Sequence, residues 1–302
     1  MDAITLAASL MLGISLVVPV ILDGFERKIK AALQSRIGPP VLQTLYDILK
    51  LASKEYKPLH TNTYVVMSVV AYIVCSAVSL AYAFLYILTG GKVYFIYSIA
   101  LFAIAAATHT ATPLLVPNPF SQVGAWREVV LSVINENAFV FSMAICLALP
   151  SLGLAVGSAA WLIVAMPVLF LLLVSSYVAT GRAPFDLAEA EPELASGVLV
   201  EFSGPLLALN LYSMLLKRFL VKTLTASSII TVAATFLKIP DNPWLTALIT
   251  LLLIIALWLI YSITSVVLGR SRIDVAPLAL AKVYLGVSAF IITVLLVSAY
   301  GG

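Results

Sequence analysis

Charge is scarce in this chain: 10% of its 302 residues are Asp, Glu, Lys or Arg, where soluble domains carry about 25%. Cysteine and histidine are scarcer still, at two each. Cys75 and Cys146 lie in apolar stretches without CxxC spacing, which excludes an iron–sulfur or zinc site built by this chain alone. They read as small buried apolar residues. The sequence also lacks a P-loop, a GxGxxG turn and a nucleophile triad, so catalytic, cofactor-binding and metal-ligating residues of its own are not expected. With no internal repeat or low-complexity linker, residues 1–302 read as one polytopic domain.

Apolar residues fill the space that charge leaves. The chain is 62% hydrophobic with a mean hydropathy of +1.10, which is the composition of an integral membrane protein. A helical span needs about 20 apolar residues. Eight such runs are present, at 3–22, 63–88, 94–114, 129–149, 157–180, 222–238, 244–268 and 275–299. Continuous runs of this length predict helices rather than a barrel, whose strands alternate over about ten residues. Residues 205–221 are apolar too, but Lys217, Arg218 and Lys222 interrupt them. The expectation there is a surface-lying helix feeding a short sixth span. The first span reads as retained, because Asp2 stands where a signal peptide carries basic residues.

All but Lys92, Lys238 and Lys282 of the 17 Lys and Arg residues fall in the odd-numbered loops or at their margins. Basic residues are kept on the cytoplasmic side. Those loops are therefore predicted to be cytoplasmic, in a cell membrane, with both termini outside.

The first such loop, 23–60, contains an amphipathic segment. From Val41 to Lys54, Val41, Leu42, Leu45, Ile48, Leu49 and Ala52 recur at helical spacing, opposite Gln43, Asp47, Lys50 and Lys54. Gly38-Pro39-Pro40 precedes it and favours a helix start. Such a helix either anchors on the membrane surface or docks a partner.

Five of the chain's 14 carboxylates, Asp186, Glu189, Glu191, Glu193 and Glu201, crowd between Gly181 and Gly204. A charge withdrawn from water persists only if solvated, paired or used. On a helix beginning near residue 183, Asp186, Glu189 and Glu193 share one face. Arg182, Arg36 and Arg127 are candidate counter-charges, and Glu201 is placed to face the same cavity. Glu128 and Glu136 are eight residues apart on the fourth span, so both can face one seam. Glu136, about two turns into the membrane, is the sharper relay candidate; Glu128 has Arg127 beside it for a local ion pair. His109 sits among threonines at a position that suits an interhelical hydrogen bond or a relay. Lys282 is near enough to the membrane boundary to snorkel. Asp274 reads as a solvated loop ion pair with Arg270 and Arg272.

Three ordered segments resemble one family. Asp23-Gly-Phe-Glu26-Arg27-Lys followed by Arg36-Ile-Gly-Pro-Pro-Val-Leu-Gln-Thr-Leu-Tyr-Asp47-Ile-Leu-Lys-Leu is similar to the first cytoplasmic loop of the NADH dehydrogenase subunit 1 class of respiratory complex I, known in bacteria as the H subunit. Asn118-Pro-Phe-Ser-Gln-Val-Gly-Ala-Trp-Arg127-Glu128, with Asn135-Glu136, resembles that family's entry to its fourth helix. Gly181-Arg182-Ala-Pro-Phe-Asp186 through Glu201-Phe-Ser-Gly204 resembles its acidic loop. Leu42-Gln43 runs directly into Tyr46-Asp47 without the longer glycine-containing insertion of complex I members. That feature is closer to membrane-bound, energy-converting nickel–iron hydrogenases, formate hydrogenlyase and a related sulfur-reducing complex.

The resemblance implies a membrane anchor that couples a hydrophilic redox arm to H⁺ or Na⁺ translocation. The implied partners are hydrogenase-like large and small subunits, an iron–sulfur subunit, antiporter-like membrane subunits and lipid, but no nucleic acid. Redox cofactors, 4Fe-4S clusters and a NiFe centre, would belong to those partners. The implied coupling residues are Glu128, Glu136, Asp186, Glu189, Glu191, Glu193 and Glu201. Glu26, Arg27, Arg36, Asp47, Arg127 and Arg182 would line the cavity and dock the arm through loops 23–60 and 181–221. The alternative within the family is a quinone-site subunit. A solitary transporter would show repeated halves, and none is seen.

Overall fold

The computed structural model describes residues 3–56, 63–152, 159–186, 197–237, 242–269, 271–272 and 274–300. Long apolar runs become helices because hydrocarbon offers backbone N–H and C=O groups no other partners. The order is α1 (Ala3–Leu33), α2 (Gln43–Ala52), α3 (Thr63–Thr89), α4 (Lys92–Ala111), α5 (Pro119–Ala148), α6 (Ala159–Ala179), α7 (Gly204–Leu237), α8 (Pro243–Val267) and α9 (Ala276–Tyr300). Among the described residues there is no strand, and all of these helices except α2 are long and apolar enough to span a membrane. The chain is an all-α, multi-pass membrane protein.

Helix starts follow local chemistry. Asn118 and Asn242 cap α5 and α8, their side-chain oxygens accepting from Phe120 N at 2.8 Å and Trp244 N at 3.1 Å. A proline follows each at the first helical position, where no N–H is needed.

One expectation is corrected. Residues 205–221 are not a surface helix: α7 runs unbroken from Gly204 to Leu237, and Lys217 and Lys222 are buried in it. The helix survives its three cations because it stands at the centre of the bundle, packed against α1, α2, α3, α5, α6 and α8. It is the most enclosed span, with 56% of its most apolar window buried.

The amphipathic segment forms α2, which packs on α1 and α7 and buries Thr44. Leu42, Tyr46 and Leu49 stay exposed on its outer side. Close packing beneath it depends on Gly24: a Cβ there would stand 1.7 Å from Val41 O. A 3₁₀ turn at Gly197–Leu199 then leads to α7.

Candidate functional site

On α1, Asp23, Glu26, Arg27 and Lys30 fall at helical spacings of three and four, and so line one side. Arg27 Nε reaches Asp23 Oδ2 at 3.1 Å and its Nη1 reaches Asp47 Oδ2 of α2 at 3.0 Å. Lys30 Nζ lies 2.8 Å from Glu26 Oε1. Thr44 donates to Asp23 Oδ2 at 2.8 Å, and Gln43 donates to Asp47 Oδ1 at 2.9 Å. The innermost pair is Arg182 with Glu26, whose side chains are 2% and 3% exposed. Burial pushes the Arg182 guanidinium down to about 10, with the Glu26 carboxylate opposing that shift.

Arg218 links this cluster to α7. Its Nη1 stands 3.9 Å from Asp23 Oδ1, and its Nε donates to Thr180 O at 3.1 Å. One turn on, Lys222 is fully buried: its Nζ donates to Arg218 O at 3.1 Å and lies 4.1 Å from the Trp258 ring centroid. Tyr261 is a second ring beside it at 5.7 Å. A cation over such rings is held electrostatically without an acid.

Lys217, the neighbour of Arg218, is turned about 100° from it around the helix. Its Nζ lies 3.9 Å from Glu128 Oε1 and 3.8 Å from Glu136 Oε1. A cavity of about 40 Å³ beside it is lined by His109, Glu128, Phe185, Asp186, Lys217 and Arg218. An adjoining cavity of about 30 Å³ includes Asn135 and Glu136. Both exceed the ~10–15 Å³ that a water needs. His109 packs on Tyr72, ring centroids 5.0 Å apart. Asn135 is fixed by donating to Ser175 O at 3.0 Å and accepting from Tyr284 at 2.8 Å.

The residues named from sequence therefore separate. Glu26, Arg27, Asp47 and Arg182 form the first cluster; Glu128, Glu136 and Asp186 meet at the cavities. Glu189, Glu191 and Glu193 lie outside the described residues. The helix expected near residue 183 does not include 183–186, which form a turn closed by Phe185 N donating to Arg182 O at 2.8 Å. Among the described residues, Arg182 pairs with Glu26. Glu201 accepts from Asn118 at the start of α5 and does not line these cavities. Arg36 is exposed in the turn after α1, and Arg127 is partly buried on α5. Asp274 and Arg272 form an exposed pair at 2.9 Å, which holds the Asp274 carboxyl below its usual range. Asp23, which the family resemblance sets with Glu26 and Arg27 at the cavity entrance, lies in the first cluster. Sequence reasoning missed Lys217, Arg218 and Lys222 as site residues. The available signal was three cations within six residues of an otherwise apolar run.

An eight-span bundle with a buried chain of ion pairs along its central helix defines a membrane protein built around charge. The NADH dehydrogenase family model matches residues 6–296, and the chain belongs to that family, in its subunit 1 (bacterial H) type. It is 30% identical over 229 residues to hydrogenase-4 component C of Escherichia coli (strain K12), the match covering 70% of each chain. It is 31% identical over 199 residues to the H subunit of the NADH-quinone oxidoreductase of Geobacillus kaustophilus (strain HTA426), covering 59% of each. Its fold is shared with a chain of the membrane-bound sulfane sulfur reductase, an archaeal respiratory membrane complex. That match has a TM-score of 0.68 and 18% identity, and it covers 97% of this chain and 100% of the other.

Proposed function

We propose that this chain is the membrane-anchor and coupling subunit of an energy-converting redox complex of hydrogenase-like type. In this reading it joins a hydrophilic electron-transfer arm, docked at loop 23–60 and the 181–203 segment, to H⁺ or Na⁺ movement through antiporter-like neighbours. The similarity to hydrogenase-4 component C and to the oxidoreductase H subunit supports membership of such a complex. The observation that carries the coupling role is Lys217, shared between Glu128 and Glu136 while the adjacent Arg218 reaches Asp23.

Opposite charges about 4 Å apart interact by about 4 kcal/mol at an effective dielectric constant near 20. Protonating either glutamate therefore moves Lys217 toward the other by an energy comparable with typical coupling free energies of about 1–3 kcal/mol. Such a shift at one end of the charge chain changes the pairing of Arg218, Asp23 and Glu26 at the other. Electron transfer in a docked arm would bias one end, and ion binding the other.

The cavities beside these residues hold water-sized groups, whereas ligand pockets run to about 300–1,000 Å³. Beside Lys217, that favours an ion path over a quinone headgroup. The test is Glu136→Gln in the intact complex reconstituted in liposomes. Ions moved per electron should fall about tenfold, the size of a 1.4 kcal/mol coupling, while redox turnover persists. Fully coupled pumping in that variant would refute the role.

A further inference from the structure

The last helix, α9, is the least covered span. Only 17% of its most apolar window is buried, against at least 33% for every other span. Ala276, Leu280, Tyr284 and Ile291 face inward, and the helix packs on α5 and α6. Its outer face is apolar apart from Lys282 and Thr293, both exposed. Six residues beyond Ala276, Lys282 lies about 9 Å into the helix. Among the described residues it has no ion pair.

A second polar group lies beside it. The Tyr284–Asn135 hydrogen bond, at 2.8 Å, sets the level of α9 against α5. Asn137 is therefore about one turn deeper than Lys282, and it too is exposed. Its Nδ2 donates to Val133 O at 2.6 Å, and its Oδ1 accepts nothing among the described residues. A groove of about 330 Å³ is lined by Asn137 together with Val133, Phe141, Ala281, Leu285 and Ser288 among others, and Lys282 is next in the chain to Ala281.

Lysine has a long stem and can reach toward headgroups; an asparagine one turn deeper cannot. In lipid, exposed polar groups at this depth are costly unless another helix supplies partners, and small residues such as Ala281 and Ser288 permit close approach. We propose that the α5–α9 face docks a transmembrane helix of a partner membrane subunit. That helix sets a carboxylate against Lys282 and a hydrogen-bond donor against Asn137. The charge of Lys282 selects an acidic partner over plain lipid chains. The proposal rests on the reading of this chain as a complex subunit and locates one of its joints.

The test uses the tagged subunit purified with its native complex, carrying a photo-crosslinking amino acid at position 285, where Leu285 is 71% exposed. Irradiation should join it to another membrane subunit. Lys282→Glu combined with Asn137→Leu should lower recovery of that subunit about tenfold, as expected for losing ~1.4 kcal/mol of interhelical bonding. Lys282→Arg should retain it. The amount of tagged subunit in the membrane fraction should not change, because both side chains are exposed. Adducts only to lipid or to a second copy, or an unchanged subunit composition, would overturn the docking proposal while leaving the coupling role intact. A wild-type subunit that purifies with no other chain would overturn both.

Discussion

Lys217 holds two glutamates of one helix at nearly equal range, 3.9 Å to Glu128 and 3.8 Å to Glu136. Replacing it with methionine keeps the stem and removes the charge. The two carboxylates then lose their shared cation, and because both are partly exposed the cost falls toward the low end of the ~3–5 kcal/mol typical of broken buried pairs. Lys217→Met should lower the unfolding temperature and abolish coupled ion uptake. Adding Glu128→Gln should recover part of the stability. A double variant less stable than Lys217→Met would show that Lys217 does not compensate these acids.

The pairs of the α1 cluster differ sharply in depth. Arg182 and Glu26 are 2% and 3% exposed, whereas Arg27 and Asp47 are 43% and 40% exposed. Arg182→Met should destabilise the detergent-solubilised protein by about 3–5 kcal/mol. Asp47→Asn should cost less than about 1 kcal/mol. Equal losses in thermal unfolding would mean that burial does not rank these pairs.

Gly24 gives a steric test. An alanine Cβ would stand 1.7 Å from Val41 O, whereas at Gly13 it would meet nothing within 4 Å. Gly24→Ala should lift α2 and the preceding turn from α1, at about 1–3 kcal/mol or more. Gly13→Ala should be neutral or stabilising by up to about 1 kcal/mol. Limited proteolysis in the 34–56 segment would report the difference, and identical digestion of the two variants would count against the contact.

Asn118 and Asn242 make the same helix cap, but Asn118 also donates to Glu201. Asn242→Ala should cost about 1 kcal/mol. Asn118→Ala should cost more, because it also removes a charge-assisted bond worth about 1.5–3 kcal/mol. Matching unfolding curves for the two variants would place Glu201 elsewhere.

Span positions were legible in sequence because each is a long apolar run, and the structure departs from that reading chiefly at α7. There the misreading had a physical cause. Lys217, Arg218 and Lys222 look like a membrane boundary as long as their counter-charges are unknown, and those lie far back in the chain on α1 and α5, or in the rings of α8. The pairing of Glu128 and Glu136 followed from spacing on one helix. The partner of Arg182 did not, because Glu26 is brought to it only by packing of α1 against the centre. Sequence placed Lys282 near a membrane boundary, but its outward direction depends on which face of α9 the bundle claims.

The cations of α7 also bear on how the protein is made. Each Lys or Arg at the middle of a lone helix opposes insertion by about 2.5–3.5 kcal/mol, and α7 carries three. The acids that neutralise two of them, Asp23 on α1 and Glu128 and Glu136 on α5, emerge from the ribosome first. Synthesis order thus favours this subunit: counter-charges for Lys217 and Arg218 have already been made when α7 arrives, and only Lys222 meets its partners, the rings of α8, afterwards.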